Sequence, residues 1–338
     1  MRPALATIAI AIAVALVSAG CTDGDKRAEP SPAGTTTSAT PTPSPTPTYD
    51  SRSLPAMFDD DITGGDLRRV GRAQDFGAYT RQEVRYRSGD LTISGLLLVP
   101  NRRGPHPAVV LNHGYIEPAV YRNGQGMPRE QDYLARAGYV VLHTDYRGHA
   151  GSDNVDAIEL ELRLGYARDA IAGVKALREL DEVNPDKIGM LGRSMGGGVT
   201  MNALVAEPDI VKAAVVHSSV SSRFIDNFRR WTEPNRSAAG TAIVRRWGSI
   251  DDNPTFWSDL SPRSYASRVE AKLLMIHGAL DESCPVSWAR ATERAFTDAG
   301  ADVDLVVYDR EGHTFAREWA DKMRRTVRFL DERLGVRR

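Results

Sequence analysis

A serine lies at the centre of a glycine-rich turn at residues 192–196, where the sequence reads Gly-Arg-Ser-Met-Gly. A short apolar run at 187–191 precedes the turn and a helical pattern follows it, which is the context in which G-x-S-x-G holds a nucleophile. Glycines two positions before and after the serine relieve crowding, and the following helix directs its first amides at the site. The sequence therefore predicts Ser194 as a nucleophile.

A serine hydroxyl needs a neighbouring base, and histidine is the usual one. The sequence offers seven candidates: His106, His113, His143, His149, His217, His277 and His313. His313 lies in Glu-Gly-His-Thr-Phe at 311–315, after the last predicted strand and before the last predicted helix. A histidine on a loop at the carboxyl ends of the strands, downstream of the serine, can meet Ser194. We predict that His313 is the base, and that His143, His217 and His277 pack at strand ends.

The base needs a buried carboxylate that fixes its tautomer. The segment His-Gly-Ala-Leu-Asp-Glu-Ser-Cys-Pro at 277–285 follows the strand before last. Its first acid, Asp281, is the predicted partner of His313, and Glu282 is the alternative. The resulting chain order Ser194, Asp281, His313 is the order found in one large hydrolase fold.

Hydrolysis of a carbonyl also needs donors aimed at the developing oxyanion. The amide of Met195, directly after the serine, is one predicted donor. The second should come from the loop after the strand that ends at Leu111, and there we predict the amide of Tyr115. Gly114 lets this backbone approach closely, and His113 is expected to hold the loop rather than to react.

Strand and helix patterns alternate from about residue 80 onward. Residues 83–88 and 91–99 predict an antiparallel hairpin. Buried strands are predicted at 107–111, 139–143, 187–191, 211–216, 272–276 and 303–307, and helices at 130–137, 156–180, 195–206, 286–299 and 315–334. We predict one α/β domain at 51–338 with a mostly parallel sheet, helices on both faces, and a small helical cap insertion at about 219–268.

These motifs together resemble the α/β-hydrolase superfamily over residues 80–335. They are His-Gly-Tyr at 113–115, Asp-Tyr-Arg-Gly-His-Ala-Gly-Ser at 145–152, Gly-Arg-Ser-Met-Gly-Gly-Gly at 192–198, and the segments at 277–285 and 311–315. The sequence is most similar to the catalytic domain of the prolyl oligopeptidase family and its esterase relatives. That resemblance implies serine-type hydrolysis of peptides or esters through an acyl-enzyme, without a cofactor.

Two departures from the family pattern favour an esterase. Residues 50–80 are too few for the family's N-terminal β-propeller, and Arg193 and Met195 stand where Trp and Tyr are usual. The alternative function is therefore a carboxylesterase or acyltransferase acting on small acyl esters, and a further alternative is a non-catalytic binding lipoprotein. Aromatic residues of the cap could line an acyl pocket or could pack the cap onto the body.

The first fifty residues are not predicted to join the fold. An uncharged apolar run at 4–17 is shorter than the roughly 20 residues of a membrane span and fits a secretory signal at 1–20. Ser-Ala-Gly-Cys at 18–21 resembles a bacterial lipoprotein processing site, which implies lipid on Cys21; a plain signal cut near Ala19 or Gly20 is the alternative. Residues 21–50 are rich in Ser, Thr and Pro and predict a disordered stalk.

The amino-acid composition limits the classes of molecule that the protein is expected to bind. The chain of 338 residues has 43 Lys plus Arg and 44 Asp plus Glu, which argues against nucleic-acid binding driven by bulk charge. Two cysteines provide no disulfide framework, and neither a metal motif nor a P-loop is evident. We expect a small-molecule ester or peptide substrate and a membrane contact through the lipid, and therefore an extracytoplasmic, lipid-anchored or secreted protein.

Overall fold

The computed structural model describes residues 49–235 and 237–337. Within these ranges nine strands form one sheet in the order β1-β2-β3-β5-β4-β6-β7-β8-β9. They are β1 (Gly64–Asp75), β2 (Tyr79–Ser88), β3 (Leu91–Pro100), β4 (His106–Asn112), β5 (Val140–Thr144), β6 (Val183–Arg193), β7 (Ala213–His217), β8 (Lys272–Gly278) and β9 (Val303–Tyr308). The pairs from β5 to β9 are parallel, and β1, β2 and β3 join the sheet antiparallel.

The helices connect these strands as crossovers. They are α1 (Pro128–Arg136), α2 (Ala157–Leu162), α3 (Leu164–Arg178), α4 (Met195–Ala206), α5 (Phe224–Asn227), α6 (Glu233–Asn235), α7 (Ala238–Trp247), α8 (Pro254–Asp259), α9 (Val286–Asp298) and α10 (Trp319–Arg333). A π-helical turn covers Phe228–Thr232, and short 3₁₀ turns cover Pro55–Met57, Pro118–Val120 and Pro262–Arg268.

Central strands are covered on both faces. Every residue of β5 and β7 is buried, as their continuous apolar sequences require. One apolar cluster packs α3, α4 and α9 on one face, and a second packs α1 and α10 on the other. The predicted α/β-hydrolase architecture, with a mostly parallel sheet and an antiparallel N-terminal hairpin, is confirmed.

Three elements differ from the sequence-based expectation. Strand β1 was not expected, because it is an exposed edge strand whose residues show no apolar alternation. The single helix expected at 156–180 is interrupted at Arg163, which has left-handed backbone angles (φ 63°, ψ 7°) and separates α2 from α3. The last helix begins at Trp319 rather than at residue 315, because Phe315 and its neighbours form a loop.

The insertion between β7 and β8 is helical, as predicted, and its aromatic residues mainly pack. Phe228, Phe256 and Trp257 are buried in the core, and Trp247 stacks on Phe256 with ring centroids 4.7 Å apart. The packing interpretation of these four side chains is therefore the correct one. Phe224, at the start of α5, is partly buried and borders a cavity described below.

The predicted signal peptide, Cys21 and residues 22–48 of the stalk lie outside the described residues. In the part of the chain that is described, no helix is long and apolar enough to cross a membrane.

A buried ion pair joins the two helices of one face. The Lys322 ammonium on α10 lies 3.1 Å from the Glu130 carboxylate on α1, and both side chains are at most 3% exposed. Trp319 Nε1 donates to the same carboxylate. Burial would raise the pKa of Glu130, but Lys322 and Arg193 lower it below its ordinary value.

Lys322→Met should lower the free energy of unfolding by about 3–5 kcal/mol, because Glu130 would remain buried without its cation. Arg136→Ala, which breaks the exposed α1 ion pair with Asp132, is the matched control and should cost less than about 1 kcal/mol. Urea denaturation of the three proteins measures both effects. Equal losses for the two variants would contradict the importance of the buried pair.

Candidate active site

Ser194 sits on a strained turn between β6 and α4. Its backbone angles are φ 55° and ψ −121°, a conformation that costs a residue with a side chain about 1–3 kcal/mol. Backbone hydrogen bonds hold it there: the Ser194 amide donates to the His217 carbonyl (3.0 Å), and the Val220 amide donates to the Ser194 carbonyl (3.2 Å). This backbone conformation places the Ser194 hydroxyl at the carboxyl edge of the parallel strands.

The two glycines of the motif are required by close packing. A Cβ on Gly196 would lie 2.0 Å from the Asn112 carbonyl oxygen, and a Cβ on Gly192 would lie 2.1 Å from the Gly196 carbonyl oxygen. Both contacts are with backbone, which cannot move aside as a side chain can. The turn therefore excludes every residue except glycine at these positions.

His313 and Asp281 form a direct pair. Nδ1 of His313 lies 2.9 Å from Oδ2 and 3.0 Å from Oδ1 of Asp281. The Asp281 side chain is fully buried, whereas that of His313 is 18% exposed. Burial would raise the pKa of Asp281, but hydrogen bonds from His277 and His313 outweigh it and hold the pKa well below its ordinary value. Asp281 is therefore ionised, and it accepts a hydrogen bond from the protonated Nδ1 of His313.

This pairing leaves Nε2 of His313 with the lone pair that a general base requires. Glu282, the alternative acid, is exposed, and its backbone carbonyl accepts a hydrogen bond from Arg230 (2.6 Å). In the described ranges His313 makes no hydrogen bond with Glu282. The geometry thus selects Asp281 over its sequence neighbour.

Cys284, in the loop that carries Asp281, lies beside Ser194. Its thiol is fully buried, and burial raises its pKa to about 12 although the neighbouring Ser194 hydroxyl lowers it. The Cys284 amide donates to Oδ1 of Asp281 (2.7 Å). Residues 281–284 thus lie beside both His313 and Ser194. Among the hydrogen bonds of the described residues, none joins the Ser194 hydroxyl to His313.

The predicted oxyanion loop lies against the nucleophile. A Cβ on Gly114 would lie 3.2 Å from the Cβ of Ser194. Nδ1 of His113 donates to the Gly114 carbonyl (2.6 Å) and so fixes the peptide unit that carries the Tyr115 amide. In a trans peptide the C=O and N–H bonds point in opposite directions. Burial lowers the pKa of His113 to about 3, so it acts here as a neutral donor.

A small, mainly apolar cavity begins beside Met195. Its apolar walls are Met195, Val199, Val220, Phe224 and Leu260, and Arg163 provides a cation at one side. Arg163 also lies over the Tyr115 ring, 5.6 Å from its centroid. Tyr115 itself is 57% exposed. The cavity therefore connects the residue after the nucleophile with the start of the cap.

Sequence reasoning missed the roles of two residues at this site. His277 was assigned only a packing role, yet its ring lies within 3.2 Å of Asp281. Cys284 was considered only as a cysteine without a disulfide framework, yet its buried thiol lies beside Ser194. The spacing of His277 four residues before Asp281 was the only available signal, and it does not distinguish a packed histidine from a bonded one.

The chain is similar to known proteins in both sequence and fold. The sequence profile described as the prolyl oligopeptidase family matches residues 126–337. The uncharacterized peptidase YuxL of Bacillus subtilis is 26% identical over 70% of this chain and 36% of its own length. The dipeptidyl aminopeptidase BIII of Pseudoxanthomonas mexicana is 26% identical over 69% of this chain and 34% of its own length. The chain thus spans about a third of the length of these two relatives.

Two solved structures share the fold. Acetyl xylan esterase 1 from Thermoanaerobacterium sp. JW/SL YS485 aligns with a TM-score of 0.61 and 19% identity, covering 84% of this chain and 92% of that one. An acylaminoacyl peptidase in complex with Z-Gly-Gly-Phe-chloromethyl ketone aligns with a TM-score of 0.63 and 22% identity, covering 77% and 43%.

His113→Phe should lower kcat for an activated ester at least tenfold, because the Gly114 carbonyl loses its donor and the Tyr115 amide loses its orientation. His113→Asn is the matched control, since its amide nitrogen can occupy the place of Nδ1 and should retain most activity. Steady-state hydrolysis of p-nitrophenyl acetate measures both. Full activity in folded His113→Phe would contradict the role of this ring.

Proposed function

We propose that this chain, which belongs to the prolyl oligopeptidase family, is a serine hydrolase that cleaves ester or peptide bonds. Ser194 is the nucleophile, His313 the base and Asp281 the carboxylate that orients it. The observation that carries the proposal is the His313–Asp281 pair at 2.9 Å, on loops at the same edge of the parallel sheet as the serine on its strained turn. This arrangement supplies an activated hydroxyl without a further group.

In the first half-reaction, the Ser194 hydroxyl turns toward Nε2 of His313. Its oxygen attacks the substrate carbonyl carbon while Nε2 takes the proton. The carbonyl oxygen becomes an oxyanion and accepts hydrogen bonds from the amides of Met195 and Tyr115. His313 then returns the proton to the leaving alcohol or amine, the scissile bond breaks, and an ester between Ser194 and the acyl group remains.

In the second half-reaction, water replaces the leaving group. His313 removes a proton from the water as its oxygen attacks the acyl carbon, and the same two amides stabilise the oxyanion. Collapse returns the proton to the serine oxygen and releases the acid. Throughout, the Asp281 carboxylate stabilises the imidazolium that forms in each half-reaction.

A small acyl ester is the better-supported substrate. The cavity beside Met195 is small and mainly apolar, which suits a short acyl group. Arg193 and Met195 replace the aromatic residues usual around the serine in the peptidases of the family. Peptide hydrolysis is the second candidate, because the named relatives with the same domain are a dipeptidyl aminopeptidase and an acylaminoacyl peptidase. An acyltransferase would use the same acyl-enzyme with an alcohol in place of water.

We also propose that lipid on Cys21 anchors the protein on the outer side of a membrane. The apolar run at 4–17, the small residues before Cys21 and the Ser/Thr/Pro-rich segment after it support this proposal. The segment would hold the hydrolase domain away from the lipid surface.

Ser194→Ala should abolish both covalent labelling by a fluorophosphonate probe and turnover of p-nitrophenyl acetate, because the attacking oxygen is lost. Cys284→Ala, a truncation of the adjacent buried thiol, should still be labelled. Intact-protein mass spectrometry measures the adduct, and circular dichroism establishes that both variants fold. Labelling of Ser194→Ala at the wild-type rate would refute the assignment.

The wild-type protein, assayed on model substrates, distinguishes the two substrate classes, esters and peptides. Turnover of p-nitrophenyl esters of increasing acyl length should fall beyond short chains, because the cavity cannot hold longer ones. Aminoacyl and prolyl p-nitroanilides should turn over more slowly than acetate esters. Faster hydrolysis of the anilides would favour the peptidase instead.

Cys21→Ala should abolish incorporation of radiolabelled palmitate and should release the protein from the membrane fraction of the expressing bacterium. Cys284→Ala is the control and should still incorporate radiolabelled palmitate. Retention of palmitate in Cys21→Ala would overturn the lipid-anchor proposal without affecting the hydrolase assignment.

A further inference from the structure

A second imidazole lies against the Asp281 carboxylate. His277 lies at the end of β8 and is 1% exposed. Its Nε2 lies 2.7 Å from the Cys284 carbonyl oxygen and 3.2 Å from Oδ2 of Asp281. The carbonyl can only accept, so Nε2 carries the proton and donates to that carbonyl while it stays close to Oδ2. One ring nitrogen therefore holds both ends of the turn at 281–284.

The carboxylate is fully enclosed by donors. It accepts from His313 and from the backbone amides of Ser283 (2.9 Å) and Cys284 (2.7 Å), and the protonated Nε2 of His277 lies 3.2 Å from its Oδ2. Such bonds to a buried anion are strong and directional, because no water competes for it. Of the four donors only His313 is exposed enough to meet substrate. The other three set the direction in which the carboxylate faces His313.

The same ring fixes the backbone of Cys284, which lies beside Ser194. The Cys284 carbonyl accepts from His277, and the buried Cys284 side chain lies beside the Ser194 hydroxyl. The acid and the wall of the serine pocket are thus positioned by a single side chain on a rigid strand. The backbone amides alone would fix the turn but not the rotation of the carboxylate, since both of them donate to Oδ1.

We propose that His277 is a positioning residue for the reaction, which orients Asp281 through Oδ2 and the 281–284 turn through the Cys284 carbonyl so that His313 faces Ser194. The inference rests on the proposed function and adds to it a residue that does not touch the substrate. A histidine that only packs at a strand end would leave catalysis unchanged when replaced by a residue of similar size.

The test compares His277→Leu with His277→Gln in the full chain. Leucine fills much of the volume but cannot donate, so kcat for p-nitrophenyl acetate should fall at least tenfold, the value of a hydrogen bond to a charged group. KM should stay within about twofold, because no substrate contact is lost. Glutamine places an amide N–H near the position of Nε2 and should restore most of kcat and of the fluorophosphonate labelling rate.

His106→Leu is the matched control. It replaces another buried histidine that bonds a backbone carbonyl, that of Arg102, at the opposite end of the sheet. It should leave kcat and KM unchanged. Thermal unfolding measured by circular dichroism establishes that each variant is folded at the assay temperature.

The outcomes separate the two claims. Equal impairment of folded His277→Leu and His277→Gln, or wild-type kcat in His277→Leu, would overturn the positioning role while Ser194→Ala remained inactive. If Leu unfolds the protein, the Gln variant decides: a loss of kcat as large as that of Asp281→Asn would overturn the role. Turnover retained by Ser194→Ala would instead overturn the proposed function.

Discussion

The site depends on one buried negative charge. The Asp281 side chain has no exposure to solvent, and an isolated carboxylate in that position would be too costly to keep ionised. Hydrogen bonds from the His313 imidazole and two backbone amides, with the protonated Nε2 of His277 3.2 Å away, compensate for the lost hydration. Because the charge persists, it holds the Nδ1 proton of His313 and leaves Nε2 free. Each proton transfer of the proposed mechanism uses that nitrogen.

The parallel sheet supplies the geometry that such a cluster needs. Strands β4, β6 and β8 lie in the parallel part of the sheet, with β7 between β6 and β8. The loops at their carboxyl ends carry the Tyr115 amide, Ser194 and Asp281, respectively. Parallel strands end at the same edge, so loops that are distant in sequence meet there. The strain at Ser194 is tolerated because β6, which leads into it, is paired on both sides with β4 and β7 and is buried over its last residues before Arg193.

Close backbone packing explains why the motif tolerates so little variation. Gly196 lies against the Asn112 carbonyl, and Gly114 lies against Ser194, so two close contacts join the predicted oxyanion loop to the turn that carries Ser194. His113 donates to the Gly114 carbonyl and so fixes the peptide unit between Gly114 and Tyr115. The cap contributes differently: most of its aromatic residues pack onto the body, and Phe224 reaches the cavity next to Met195. Substrate selection is thus concentrated in a few side chains around a rigid centre.

Much of this molecule follows from local sequence. Continuous apolar runs such as those of β4 and β5 can only be strands covered on both faces, and the Gly-x-Ser-x-Gly turn has one structural solution between a strand and a helix. The fold class, the antiparallel hairpin and the helical insertion were therefore predictable. The order of Ser194, Asp281 and His313 along the chain also identified which loops should meet.

Features that depend on contacts between distant parts of the chain were decided only by the tertiary structure. Strand β1 has no apolar alternation because it borders solvent, and its existence depends on pairing with β2. The choice of Asp281 over Glu282 depends on which of two adjacent side chains faces His313. The approach of His277 to Asp281 has only an ambiguous sequence signal, their four-residue spacing, and the position of Cys284 beside Ser194 has none. Buried histidines and cysteines near strand ends have the same local pattern whether or not they lie beside such groups. Side-chain chemistry is encoded locally, whereas its direction is set by the packing of distant segments.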